Sequence, residues 1–424
     1  MRVLIVNTSE KTGGAAVAAG RLMEALNNNG VKAKMLVGDK QTDNIMVAGL
    51  PRPWLQRWNF LWERFCIFAH LHFSREHLFE IDMANAGTDI TSLPEFSEAD
   101  VVHLSWINQG MLSLGSIRKI LRSGKPVVWT MHDLWPASAI CHYARGCAAF
   151  KTGCHHCRLL PGGGSVNDLS ARVYARKQKI YRNSNIHFVT CSKWLADQAR
   201  QSRLLAGLYV EPIPNPIDTR VYAPRDRREC RSRLQLPVDK RVILFVSQRA
   251  TMERKGMTYL VEAVRQLAES RPDMAADTVV AILGGHSEDV VAQLALPAFP
   301  LGYVSDERKI VDVYNAADVF VLPSLEDNLP NTIMEAMACG VPCVGFKVGG
   351  IPEMIDHRRN GYVAAFRDAA DLAAGIRWVL GEADYAELRR QALSKVAASY
   401  SQRSVAMRYI EVYNQAMAFK DYSL

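Results

Sequence analysis

Two carboxylates, Asp327 and Glu335, stand eight residues apart in the stretch from Pro323 to Gly340, a spacing that suits a ligand carrying hydroxyls and phosphates. The apolar run Val319 to Leu322 reads as a buried parallel strand. Pro330 fits a first helical turn, and the helix continues from Ile333 to Ala338 until Gly340 stops it. Asp327 then falls in a loop outside the carboxyl end of a strand, where open α/β sheets bind ligands. Glu335 falls on the helix, whose free N–H groups favour an anion. The competing reading of the same residues is a capping box, Thr332 with Glu335.

Three further groups of residues have chemistry to offer. After the apolar run Val242 to Val246, Arg249 and Lys255 lie in a loop where two cations could clamp a diphosphate and stabilise its departure without a metal. Val127 to Asp133 places His132 at a strand end, with Asp133 able to orient its ring; His103, ending the preceding strand, is an acceptor-side candidate. Gly13 and Gly14 precede small residues at the start of a helix, which lets a ligand approach the backbone. A tight turn explains the two glycines equally well, and isolated cations or a lone histidine are more often solvated or structural.

Cys141, Cys147, Cys154 and Cys157 form the other unusual feature. Four thiols within seventeen residues, ending on a Cys-x-x-Cys knuckle with Gly146 and Gly153 just before two of them, suit one structural tetrahedral Zn²⁺. Buried free thiols or a redox pair are the alternatives. A four-thiolate site would leave no open position for chemistry, and no catalytic metal is expected elsewhere.

The elements that must position these residues alternate through the chain. Short buried strands are read at Val3 to Val6, Ala33 to Val37, Val101 to Leu104, Val127 to Thr130 and His187 to Thr190. A second series follows at Val242 to Val246, Val279 to Leu283, Val319 to Leu322 and Val341 to Val344. At 424 residues and 49% hydrophobic, the chain supports two cores. Three prolines in Pro212 to Asp218 disfavour helix and mark the junction. The expected division is 1–212, with a cysteine-rich insert at 141–157, a linker region at 213–240, a second domain at 241–400, and a terminal helix at 401–424 able to cross back to the first domain. No stretch reaches the roughly 18 apolar residues of a spanning helix, and the N-terminus reads as a strand rather than a signal peptide. Nine cysteines, four of them clustered, argue for a reducing compartment, and a net charge of +8 favours anionic partners.

The acidic pair resembles the carboxylate-x7-Glu signature of the retaining family 4 glycosyltransferases, whose fold is called GT-B. The run Asp327-Asn328-Leu329-Pro330-Asn331-Thr332 is similar to bacterial surface-polysaccharide members, although most of the family has Glu where this chain has Asp327. Arg249 and Lys255 match the family's Gly-Arg…Glu-Lys-Gly motif, with Gln248 in place of its Gly. Pro212 to Asp218 resembles the family hinge, with Pro216 in place of Gly. The resemblance implies roles. Glu335 would hold the nucleotide ribose and Asp327 the donor-sugar hydroxyls. The amides of Asn328 to Thr332 would meet sugar and phosphate, and Gly302, Tyr303 and Val304 the base. His132 would contact the donor sugar, and the Gly13-Gly14 loop would near the donor phosphates.

The expectation is therefore an α/β GT-B protein, two Rossmann-like doubly wound parallel-sheet domains facing a cleft. It would move a sugar from a nucleotide-sugar donor to a growing, lipid-linked cell-surface glycan at the cytoplasmic face of the inner membrane. A sugar-nucleotide epimerase of similar fold and a nucleic-acid-binding protein with a zinc module are the alternatives; no basic and aromatic reading surface supports nucleic acid. Trp54, Trp58, Leu61, Trp62, Phe65 and Phe68 recur at helical spacing among arginines, which fits either an anionic membrane surface or an ordinary core helix.

Overall fold

The computed structural model describes residues 1–182 and 184–421, which divide into two units: Met1–Pro216 with the chain from Val405 onward, and Ile217–Ser404. In the first, β-branched and aliphatic runs form seven strands: β1 (Arg2–Ser9), β2 (Lys32–Asp39), β3 (Val47–Gly49), β4 (Val101–Leu104), β5 (Val127–Met131), β6 (Ile186–Thr190) and β7 (Tyr209–Pro212). They pair in the order β3-β2-β1-β4-β5-β6-β7, parallel throughout. The second unit holds β8 (Arg241–Arg249), β9 (Thr278–Gly285), β10 (Ala298–Gly302), β11 (Val319–Leu322), β12 (Cys343–Phe346) and β13 (Gly361–Ala364). Their order is β10-β9-β8-β11-β12-β13, also parallel.

In each sheet the strand order reverses once, between β1 and β4 and between β8 and β11. The loops that leave these strands diverge to opposite faces and open a crevice there. Gly13 follows β1, Arg249 ends β8 with Ala250 to Gly256 following it, and Asp327 follows β11, so the sheet topology itself explains why these loops carry the chemistry.

The nine strands expected from apolar runs are present, with Val341 to Val344 displaced to Cys343–Phe346 because Gly340, at φ 76°, ends the preceding helix and Pro342 follows. Four strands were not anticipated: β3, β7, β10 and β13. All four lie toward the sheet edges, where burial is incomplete, and β7 and β10 contain Pro212 and Pro300, which edge strands tolerate. β7 therefore runs into the proline-rich stretch read as the junction.

The terminal helix Gln402–Asp421 belongs largely to the first unit, where Val405, Tyr409, Val412 and Tyr413 pack against Val3, Ile5 and Val128; positions 422–424 of the expected helix lie outside the described residues. Beneath it, His103 is wholly buried. Its Nδ1 meets the Tyr413 hydroxyl at 2.6 Å and its Nε2 the Thr130 hydroxyl at 2.9 Å, while Thr130 also meets the Tyr409 hydroxyl at 2.9 Å. Burial pushes the His103 imidazole down to about 3, so it is neutral at physiological pH. This ring is a tie between helix and sheet, and every polar atom in the chain of four side chains has a partner.

Tyr413→Phe removes one partner and leaves a buried imidazole nitrogen unsatisfied, which should cost about 1–3 kcal/mol. A lower urea midpoint with an unchanged slope is the expected result; an unchanged midpoint would mean that the helix is held by its apolar contacts alone.

Candidate functional site

The second unit gathers most of the candidate residues. Asp327 lies in the loop after β11 and is mostly buried, a position a carboxylate tolerates only when paired. Lys255, in the loop after β8, donates to its Oδ2 at 2.5 Å, the Ser324 hydroxyl donates at 3.1 Å, and Arg254 stands 3.8 Å from its Oδ1. Burial alone would raise the Asp327 carboxyl, but Lys255, Arg254 and the hydrogen bonds outweigh it and hold the carboxyl below its ordinary range. Burial moves Lys255 downward against the pull of Asp327.

The two loops are locked together by backbone as well. Arg254 donates to the Glu326 carbonyl at 2.7 Å, and the Leu325 N–H donates to the Arg254 carbonyl at 2.8 Å. Gly256 has φ 73°, and a Cβ there would strike the Pro323 carbonyl. Gly349, at φ 56°, would likewise strike the Asp327 carbonyl. No side chain larger than hydrogen fits either crossing.

The helix after Asp327 runs Asn331–Ala338, with Pro330 in the N-cap position and no side chain capping it. This decides against the capping box: Thr332 sits inside the first turn, and its buried hydroxyl has no hydrogen-bond partner. Glu335, mostly buried, accepts from the Tyr314 hydroxyl at 2.7 Å. The arrangement thus presents a helix start that no side chain caps, in the same loop as Asp327 and its cationic partners. Arg249 ends β8 and is exposed, with no ion pair among the described residues. Tyr303 and Val304 follow β10, with the Tyr303 ring exposed.

The first unit holds the remaining candidates. Gly13, at φ 93°, opens the helix Gly14–Asn27. His132 follows β5; its Nε2 lies 2.9 Å from the Ser105 hydroxyl and its Nδ1 3.3 Å from Cys191 Sγ. Burial pushes His132 down to about 4, against the pull of Asp133. His132, Ser105, His103, Ala18, Ile5 and Tyr409 share the wall of a small cavity. The task expected of Asp133 falls elsewhere: its Oδ2 faces His142 Nδ1 at 2.7 Å and accepts from Trp106 Nε1 at 2.9 Å, so Ser105 and Cys191 flank the His132 ring instead. His103, a candidate for acceptor contact, is enclosed beneath the terminal helix as described above.

Cys141, Cys147, Cys154 and Cys157 are unbridged and partly buried. Burial raises the Cys154 thiol to about 12 and the Cys157 thiol to about 11, and neighbouring cysteines add to both. They lie near enough to influence one another, yet among the described residues no group of three or more His, Cys, Asp or Glu side chains is placed to hold a metal ion.

Residues 240–382 match the family described as glycosyl transferases group 1. Over these residues the chain is similar to a glycosyltransferase group 1 domain. A D-inositol 3-phosphate glycosyltransferase of Thermobispora bispora is 28% identical over 240 residues, 53% of this chain and 56% of the relative. The chain spans about half the length of the curated relatives it matches first. Two solved structures align with nearly the whole chain. Sucrose-phosphate synthase from Thermosynechococcus elongatus gives a TM-score of 0.64 at 17% identity, covering 99% of each chain. Anabaena Alr3699/HepE in complex with UDP gives 0.63 at 16% identity, covering 98% of this chain and 100% of that one. The fold class is GT-B, as the acidic signature implied.

Within the group 1 domain, sequence reasoning found Asp327, Glu335, Arg249 and Lys255 but missed Tyr314, Ser324 and Arg254. Arg254 lies beside Lys255 in the same motif, and Ser324 is three residues before Asp327, so local spacing could have found both. Tyr314 is twenty-one residues from Glu335 and carries no local signal.

Lys255→Ala or Asp327→Ala alone strands a charge of the group 1 domain in a mostly buried site, which should cost about 3–5 kcal/mol, and the double variant should cost less than the sum. Additive losses in urea melts would show that the pair is not coupled. The folded carboxyl lies below the unfolded one, so its contribution is complete above pH ~4 and disappears as pH falls through the folded value. Wild type should therefore lose more stability than Asp327→Asn between pH 6 and pH 2.

Proposed function

We propose that the chain is a retaining family 4 glycosyltransferase that moves a sugar from a nucleotide diphosphate sugar to a growing, lipid-linked cell-surface glycan at the cytoplasmic face of the inner membrane. The observation that carries the transfer reading is the meeting of cations and an uncapped helix start at the β8/β11 reversal of a group 1 domain. An ammonium has three N–H donors, so Lys255 can hold Asp327 and a phosphate oxygen together, with Arg249 as a second cation. Charge neutralisation of a departing diphosphate by these side chains needs no catalytic metal.

The remaining roles follow the family resemblance. Glu335 binds the ribose and Asp327 the sugar hydroxyls, the backbone of Asn328 to Thr332 meets sugar and phosphate, and Tyr303 and Val304 lie beside the base. His132 contacts the donor sugar, near the Gly13-Gly14 loop. A neutral imidazole suits that task, because it can donate to or accept from a hydroxyl without carrying charge. UDP in the Anabaena structure supports a uridine nucleotide as the first donor to try. A second acceptor reading comes from the relatives' name: a small phosphorylated cyclitol such as D-inositol 3-phosphate.

Donor turnover should be screened with a UDP-sugar panel against lipid-linked glycan, inositol phosphate and no acceptor. Transfer to the first supports the reading, transfer to the second reassigns the acceptor, and a changed sugar nucleotide without acceptor would indicate an epimerase. Glu335→Gln should weaken donor binding and activity at least tenfold, about 1.4 kcal/mol, with the fold intact; unchanged donor affinity in calorimetry would remove Glu335 from the site. Activity should survive EDTA.

A structural zinc on Cys141, Cys147, Cys154 and Cys157 is a separate part of the proposal, supported by their spacing and mutual proximity. Binding would have to draw the thiols into a common shell. Elemental analysis should find near one zinc per purified chain, falling sharply in Cys154→Ser; a metal-free, fully active preparation excludes it.

A further inference from the structure

The helix Pro53–His70 is inside out. Trp54, Trp58, Leu61, Trp62 and Phe65 follow i, i+4, i+7, i+8 and i+11 spacing, which is one face of a helix, and that face points to solvent. Trp54 is 61% exposed, Trp58 64%, Trp62 55% and Phe65 55%, whereas Glu63 on the opposite face is 0% exposed. Single exposed aromatics are ordinary, but five large apolar side chains in one stripe are not.

The inner face cannot simply roll outward. Glu63 Oε1 accepts from the Ala84 N–H at 2.6 Å and its Oε2 from the Gly110 N–H at 2.8 Å. Arg64 donates to the Leu78 carbonyl at 2.7 Å and pairs with buried Asp82. Gly110, at φ 77°, leaves no space for a Cβ against Asn59 and Phe60. Rotating the stripe inward would carry Glu63 and Arg64 into water and leave the Asp82 carboxylate and the Ala84 and Gly110 N–H groups buried without partners, a cost that opposes the rotation. Charge is one-sided as well. Glu63 is the only acid on the helix and is hidden, while Arg52 and Arg57 are exposed and flank the stripe.

From these observations we propose that the outward face of helix Pro53–His70 docks in the interface of an anionic lipid bilayer, tryptophans at headgroup depth and arginines on the phosphates. Tryptophan prefers that depth because its ring is apolar and its N–H polar, and the flanking arginines supply the attraction to acidic lipid. No helix among the described residues is long and apolar enough to cross a membrane, so the contact is peripheral along this element. The inference rests on the proposed function only for the place of the acceptor, and its test reads no transfer.

The test is flotation of the full chain with phosphatidylcholine vesicles, with and without 30 mol% phosphatidylglycerol. Partition into anionic vesicles should exceed that into neutral ones at least tenfold, fall in 0.5 M salt, and fall at least tenfold in Trp58→Ser/Trp62→Ser with thermal stability unchanged. Arg52→Gln/Arg57→Gln should lose only the anionic preference. Absence of wild-type binding to either vesicle overturns the inference. So does a concentration-dependent dimer by light scattering that the tryptophan double variant abolishes, since a second copy would then cover the face. Unfolding of that variant would place the stripe in a core and overturn it too. Failure of sugar transfer with intact flotation would touch only the proposed function.

Discussion

Asp327 and Lys255 approach each other from loops that follow different strands, and each is where it is because the other is there. A carboxylate this poorly hydrated would otherwise take up a proton, and an ammonium would lose one. Pairing keeps both charged at 2.5 Å, and the close backbone crossing beside it uses Gly256, where a Cβ would strike the Pro323 carbonyl, while Gly349, after β12, lets a third loop pass the Asp327 carbonyl. The topology supplies the loops, the glycines supply the approach, and the ion pair fixes the register of one loop on the other. Glu335 and the helix start at Asn331 inherit that register, since they follow Asp327 by eight and four residues.

The first unit solves a different problem with neutral groups. His103, Thr130, Tyr409 and Tyr413 exchange hydrogen bonds in a place without room for charge, and burial keeps the imidazole neutral. The terminal helix thereby gains polar contacts that specify its position in addition to the non-directional packing of Val405 and Val412. His132 follows the next strand and borders the same cavity, so the wall of the candidate site and the support of the helix share side chains.

The sheets were legible in the sequence because parallel strands buried on both faces are continuous apolar runs, and Val242 to Val246 or Val319 to Leu322 are short, rich in β-branched and aromatic residues, and end at polar residues or a proline. Edge strands were not legible: β3 is three residues long and β10 contains a proline, so neither offers a run. The acidic pair and the cations were legible because they lie within short motifs beside those runs. Their partners were not, since Tyr314 reaches Glu335 and Ser105 reaches His132 through the fold rather than along the chain. The expectation for Asp133 failed for the same reason: adjacency to His132 in sequence gave no sight of His142, which is folded back onto its carboxylate.

The aromatic helix shows the limit of periodicity more sharply. A stripe at 3.6-residue spacing says that one face is apolar and says nothing about which side of the helix the protein occupies. What decides is the other face, whose charged side chains already have their partners in the interior. Glu63 and Arg64 have partners only in the interior, two backbone N–H groups for the one and Asp82 with two carbonyls for the other. Leaving those partners unmet in a buried place costs several kcal/mol per charge, whereas an exposed tryptophan forgoes about 2 kcal/mol of burial that another apolar medium can still return. The helix therefore satisfies its charges against the fold and leaves its aromatics for whatever surface the protein meets.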